Sequence, residues 1–418
     1  MKRREFLKAA GLGMGASAVA APAIAQSLPQ LRWRLTASWP KSLDTLYGAA
    51  EHMAKRIAEL SENKFQIQVF AAGEIVPGLQ VLDAVQNGTV EMGHTGSYYY
   101  FGKDPAFTFG TALPFGLNTR QQEAWQFQGG GMELLNDFFK TYNCWGMPTG
   151  NTTCQMGGWF RREIKSLDDM RGLKFRVGGF AGRILAKLGV VPQQLAAGDI
   201  FPALEKGTID AAEWVGPYDD EKLGFVKIAK YYYYPGWWEG GAQPHLFVNL
   251  GKWNEMPRIY QSMIQACARE AGAWMTTKYD VLNPQAVKRL VASGAELRPF
   301  PQPVMEACYN AANEIYAELA KNNPHFKKML DSLTAYRSDS YHWLQVAELL
   351  RYLHDAHAHA CLTLALGVDR RKAPELRHRS GVAARCARPA VRADAADRPL
   401  TGARRERRIV PFPSRSTP

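Results

Sequence analysis

Gly172-Leu173-Lys174-Phe175-Arg176-Val177, Ala181 to Leu188, Val190-Val191-Pro192-Gln193-Gln194-Leu195, Asp199 to Lys206 and Ile209-Asp210-Ala211-Ala212-Glu213-Trp214 follow one another with almost no linker. The first, third and fifth runs are short and apolar, as strands are. The second and fourth have helical spacing, with Gly189 where the first helix must stop. The order βαβαβ predicts parallel strands joined by right-handed crossovers. The same order stands upstream. Leu31-Arg32-Trp33-Arg34-Leu35-Thr36 alternates, and Ser42 to Leu60 sets Leu46, Ala50, Met53 and Ile57 on one face. Phe65-Gln66-Ile67-Gln68-Val69-Phe70 alternates again, Gly78 to Gly88 is a short helix, and Val90-Glu91-Met92-Gly93-His94 is a third strand. Amphipathic helices are expected near 254–283, 302–322 and 325–347. The fold class is therefore α/β, in two lobes with a long connecting helix and a helical C-terminal part. One lobe spans 30–150 with part of 240–275, and the other spans 151–239 with part of 284–348. In such sheets a ligand lies beyond the carboxyl ends of the strands, here between the lobes.

The two ends of the chain differ from this body. Lys2-Arg3-Arg4-Glu5-Phe6-Leu7-Lys8, an apolar stretch from Ala9 to Ala21, and Ala23-Ile24-Ala25 read as a twin-arginine signal peptide over 1–25, with Gln26 as the new N-terminus. The apolar stretch is shorter than the about 20 residues that span a bilayer. Export to the periplasm is expected. Residues 349–418 are rich in Arg, Ala and Pro, and from Leu350 onward Tyr352 and Phe412 are the only aromatic residues. Such a composition predicts a disordered tail, and it resembles an out-of-frame reading of a GC-rich gene. His354, His357 and His359 beside Asp355 read there as chance composition rather than a metal site.

Charge follows the same division. The whole chain carries a formal +12. Residues 1–25 hold four basic and one acidic residue, and residues 351–418 hold fifteen and six, so the body between them balances 32 against 32. A neutral body gives no support to nucleic-acid binding. Cys267 and Cys308 lie in helical apolar patterns and read as core. Cys144 and Cys154, ten apart in an exported chain, leave a disulfide open. The body has no Gly-x-Gly-x-x-Gly at a strand–helix turn, no CxxC and no HExxH, and its histidines, His52, His94, His245, His325 and His342, cluster with no nucleophile. An exported enzyme is the competing class, and these gaps argue against it.

Arg176 closes a strand, where its guanidinium fork would enter the cleft and give a carboxylate two parallel hydrogen bonds. Tyr98-Tyr99-Tyr100-Phe101 follow the third strand, and Tyr100 is taken as the cleft ring, most of the others being core. Tyr231 to Tyr234 are read as packing at a lobe connection.

The run from Gly189 to Leu195, then Asp199-Ile200-Phe201-Pro202-Ala203-Leu204-Glu205-Lys206-Gly207-Thr208-Ile209-Asp210-Ala211-Ala212-Glu213, with Leu173-Lys174-Phe175-Arg176 upstream, resembles the substrate-binding subunit of TRAP (tripartite ATP-independent periplasmic) transporters. The resemblance covers about residues 30–348 and implies a periplasmic binding protein fold. Gly150 to Phe160 and Glu213-Trp214 are similar to the branch that binds 2-oxo acids such as pyruvate together with sodium. The resemblance implies that Glu213, Glu239, the Trp214 backbone oxygen and the Gln155 amide oxygen hold the ion. It also implies that Gln155, Arg176 and the Trp214 ring meet the substrate. Two glutamates and the substrate carboxylate make −3 against +1 from Arg176, an excess too costly to bury without a cation. All the donors are oxygens and suit calcium as well as sodium. The implied function is a receptor that delivers a pyruvate-like monocarboxylate to the membrane subunits of a TRAP permease. Lactate or another carboxylate with calcium is the alternative. Members of this branch form homodimers by swapping a long C-terminal helix. Here the pattern departs after Ala347-Glu348, which favours a monomer.

Overall fold

Eleven strands in two sheets carry the described part of the chain. The computed structural model describes residues 28–349. The signal-like segment 1–25 and the tail from Leu350, with His354, His357, His359, Cys361 and Cys386, lie outside the described residues. Contacts divide the chain after Trp343; residues 28–343 belong to one unit, and the Gln345–Leu349 π-helical turn is described in the other.

The first sheet has the order β2-β1-β3-β10-β4. It comprises β1 (Leu31–Ala37), β2 (Phe65–Phe70), β3 (Met92–Thr95), β4 (Cys144–Pro148) and β10 (His245–Asn249). The second has the order β11-β9-β5-β8-β6-β7. It comprises β5 (Gly158–Phe160), β6 (Lys174–Arg176), β7 (Val191–Gln193), β8 (Ala211–Ala212), β9 (Tyr231–Tyr234) and β11 (Glu296–Pro299). In each, the expected βαβαβ unit is parallel: β1 pairs with β2 and β3, and β6 with β7 and β8. β1 alternates at its start and is buried on both faces from Leu35 to Ala37, where strands flank it on either side. The crossover helix α1 (Leu46–Leu60) buries Leu46, Ala50, Met53 and Ile57 as the spacing predicts, with Tyr47, Ala49 and Ala54 beside them. Helices α2 (Val81–Gln86), α3 (Ala181–Lys187) and α4 (Ala197–Glu205) make the other crossovers.

The chain leaves the first sheet after β4, enters the second at β5, and returns from β9 to β10. Two short stretches therefore join the sheets, 149–157 and 235–244, and the chain crosses a third time from β10 to β11 through a long helical segment. Tyr231–Tyr234 is not packing at a connection but strand β9, paired with β5 and β11. Rows of aromatic rings suit a pleated, buried surface, and the Tyr232 ring stacks on Trp159 with centroids 4.0 Å apart.

Helix α5 (Pro217–Leu223) follows β8, and the 35-residue α6 (Arg258–Ala292) packs against both α1 and α5. At 1.5 Å per residue α6 is roughly 50 Å long. It passes through Pro284, where periodicity alone ends it. Burial of Ala286 and Leu290 and the Tyr218 amide donating to Asn283 carry the helix past the missing N–H. Helices α7 (Gln302–Asn322) and α8 (Pro324–Leu344) complete the helical part. All four cysteines among the described residues are free, Cys144 buried and Cys154 exposed, so the disulfide left open by the sequence is not formed.

The first turn of α5 holds two adjacent buried carboxylates. Asp219 accepts from Tyr279 Oη of α6 at 2.6 Å and from Thr45 Oγ1, just before α1, at 3.2 Å. Asp220 points into the second sheet. Burial pushes Asp219 from 3.8 up to about 6 and Asp220 up to about 7, against the pull of their donors. A carboxyl raised in the folded state stabilises the fold fully below its unfolded pKa, and that contribution is lost as pH rises through the folded value. For Asp219 the window runs from about 4 to about 6 and is worth about 3 kcal/mol. Buried His94 and His245, each lowered by desolvation to about 4, act in the opposite direction over part of this range. A difference against Asp219→Asn isolates the group. In denaturant titrations the wild-type advantage over this variant is expected to shrink by about 3 kcal/mol between about pH 4 and pH 7; a constant difference refutes the assignment.

Candidate functional site

Residues following β1, β3 and β8 line a partly open pocket, with Trp39, Tyr98, Tyr99, Gln155, Trp214 and Val215 among its walls. It lies beyond the carboxyl ends of strands from both sheets, where an open α/β sheet places a ligand.

Arg176 is the last residue of β6 and is 1% exposed. Its Nε donates to Leu195 O at 3.1 Å, and its Nη1 donates to Glu213 Oε2 at 3.0 Å and to Glu213 O. The guanidinium carbon lies 4.8 Å from the Trp214 ring centroid. Glu213 follows β8, and its Oε2 also accepts from the Gly178 amide at 3.3 Å. Glu239 lies in the returning stretch, with Gln155 and Tyr98 hydrogen-bonded to its carboxyl. Gln155 lies in the outgoing stretch, and its Nε2 also donates to Thr152 Oγ1 at 2.8 Å. Arg176, Glu213, Trp214, Gln155 and Glu239 are thus brought together, all buried.

Each of the five retains a buried polar atom without a protein partner: Gln155 Oε1, Glu213 Oε1, Glu239 Oε2, Arg176 Nη2 and Trp214 Nε1. Buried unmet polar groups are rare because each costs about 1–3 kcal/mol. Here they sort by chemistry. Three are oxygens, two of them carboxylate, as a hard cation requires. Two are N–H donors, as an anion requires. Burial pushes Glu213 up to about 7 and Glu239 well above the usual carboxylate range; the Glu213 charge raises Glu239 further and Arg176 opposes the rise. Without a cation the two carboxyls compete for protons. The residues fit a metal ion that would replace those protons.

Tyr100 does not belong to this group. Its hydroxyl accepts from the Leu82 amide at 2.9 Å and pairs with Thr95 Oγ1 at 3.1 Å, which turns it into the first sheet. Tyr98 and Tyr99 line the cavity instead. The 3₁₀ turn Ser97–Tyr100 rotates each ring about a third of a turn from the last, so position in the run does not reveal which ring faces the cleft. Trp39 is a second unanticipated wall. Its indole N–H donates to His94 Nδ1 at 3.1 Å, and its position just past β1 is the signal that marks it.

Contacts close the cavity from both sides. Gln194 Nε2, of the second sheet's side, donates to Tyr99 O at 3.0 Å. The Tyr98 ring lies on the Gly178-Gly179 backbone: a Cβ on Gly179 would come within 2.1 Å of Tyr98 Cδ2, at a φ of +58°. Gly179→Ala is expected to hold the cleft open, seen as a larger radius of gyration in ligand-saturated scattering; an unchanged radius refutes the contact. The Arg176 surroundings also tie it to stability. Taking one partner from a buried ion pair strands the other. Arg176→Ala is expected to lose about 3 kcal/mol in denaturant titrations, and Arg176→Lys less.

The family model of the bacterial extracellular solute-binding proteins, family 7, matches residues 36–323. A monocarboxylate 2-oxoacid-binding periplasmic protein of Nostoc sp. is 48% identical over 355 residues, 84% of this chain and 97% of the relative. A crystallised TRAP transporter solute-binding protein of Bordetella bronchiseptica is 50% identical. It has a TM-score of 0.78 over 79% of this chain and 99% of its own; that protein is a mixed-occupancy dimer with copurified calcium and picolinate in one active site. A TRAP periplasmic solute-binding protein of Pseudoalteromonas atlantica, solved with sodium and pyruvate, is 38% identical with a TM-score of 0.75, over 78% and 99% of the two chains.

Proposed function

The chain belongs to the bacterial extracellular solute-binding proteins of family 7, and on that premise we propose that it is the receptor of a TRAP transporter, holding a pyruvate-like 2-oxo monocarboxylate with a cation between its two sheets. It is a solute-binding transport component and not an enzyme, and it works outside the cytoplasm. The observation that carries the reading is the set of five buried orphan atoms, oxygens and N–H groups side by side. In this reading Arg176 Nη2 and Trp214 Nε1 donate to the substrate carboxylate. Gln155 Oε1, Glu213 Oε1, Glu239 Oε2 and the Trp214 carbonyl hold the cation. The cation supplies positive charge that lets an anion enter beside two glutamates. A carboxylate with an oxo group on the next carbon offers the ion two oxygens at once.

The remaining assignments belong to the same proposal. Residues 1–25 direct twin-arginine export. Residues 30–150 and 151–239, each with its returning segment, move as lobes. Sodium is the resident ion, calcium its substitute. The loaded receptor docks on the permease membrane subunits.

Trp39 and Trp214 line the cavity, so tryptophan fluorescence reports occupancy. In chelator-treated protein pyruvate is expected to give a saturable change only after sodium or calcium is added. Arg176→Lys should weaken it about 100-fold, the worth of one hydrogen bond to a charged group. A full response without cation, or turnover of the pyruvate, overturns the proposal.

A further inference from the structure

One buried carboxylate near the site has no role in that reading. Asp220 is 1% exposed. Its Oδ2 accepts from Trp159 Nε1 of β5 at 3.0 Å and from Tyr232 Oη of β9 at 2.6 Å. Its Oδ1 accepts from the Val215 amide at 3.3 Å. Val215 comes directly after Glu213-Trp214, and its carbonyl accepts from the Met156 amide at 3.0 Å, next to Gln155. A single carboxylate therefore anchors the peptide that joins both halves of the oxygen set to the inner strands of the second sheet.

Both Asp220 oxygens accept and neither donates, which suits a carboxylate and not an amide. A carboxylate buried here adds to the excess already made by Glu213 and Glu239 against Arg176. We infer that Asp220 is a positioning residue for the cation: it fixes the Val215 peptide, and with it Glu213, Trp214 and Gln155. The inference rests on the reading that a cation sits between Glu213 and Glu239. Partners of a metal's direct ligands are commonly worth 10- to 100-fold in metal affinity.

The test separates cation from ligand. Chelator-treated protein is titrated with sodium alone and with calcium alone by calorimetry, then with pyruvate at saturating cation, and melting is recorded for each variant. Asp220→Asn is expected to raise the cation dissociation constant about tenfold, and Tyr232→Phe, which keeps the ring on Trp159 and removes one donor, about threefold. Pyruvate affinity at saturating cation stays within about twofold. If Asp220→Asn does not fold, Tyr232→Phe decides. Lower melting with unchanged cation constants, or pyruvate weakened in step with the cation, marks a merely structural residue and overturns the inference. A wild type that binds no cation overturns the site reading, and the inference falls with it.

Discussion

Arg176 and Glu213 are paired in a place where their charges do not balance the neighbourhood. One guanidinium faces Glu213 directly, Glu239 stands close enough to raise its own proton affinity through Glu213, and Asp220 adds its field from behind. A fold bears such an excess only where something else neutralises it. Protons can do so, and so can a metal ion, and the two compete for the same oxygens. The rest of the structure serves to keep water away from that competition: tryptophans and tyrosines form the walls, and strands from two sheets end there.

The topology explains why these groups meet. Gln155 and Glu239 lie in the two short stretches that join the sheets, 149–157 and 235–244, while Arg176 and Glu213 sit at the ends of neighbouring parallel strands. Parallel strands with right-handed crossovers place all their carboxyl ends on one edge. The outgoing and returning chain must cross between the sheets beside that edge. Residues more than eighty positions apart are thereby held within hydrogen-bonding reach without any long loop.

Much of this was legible in the sequence. Both βαβαβ units were readable because alternation and helical spacing are local signals. Arg176 was readable from its place at a strand end. Glu239 and Gln155 were reached only through resemblance, since nothing in their local pattern says that two crossing segments touch. Three readings failed for physical reasons. Tyr100 was chosen over Tyr98 because a 3₁₀ turn hides its facing from linear order. Tyr231–Tyr234 was read as connection packing although aromatic runs also suit strands. The long helix was ended near Pro284, where tertiary burial outweighs the local penalty. Asp220 gave no sequence signal, because its partners come from strands β5 and β9 and from a single peptide after β8.

The ring of Tyr98 resting on Gly178 and Gly179 has a kinetic consequence. A ligand beneath it leaves only after the ring lifts off the glycine backbone, so escape requires opening of the protein. Bonds from the ligand to both sides must break in that opening, so a tighter ligand also stays longer. For a carrier that must surrender its cargo, the handover is a mechanical event. A partner that binds the open form better offsets what the ligand contributes to closure, and so lowers the affinity at the moment of transfer.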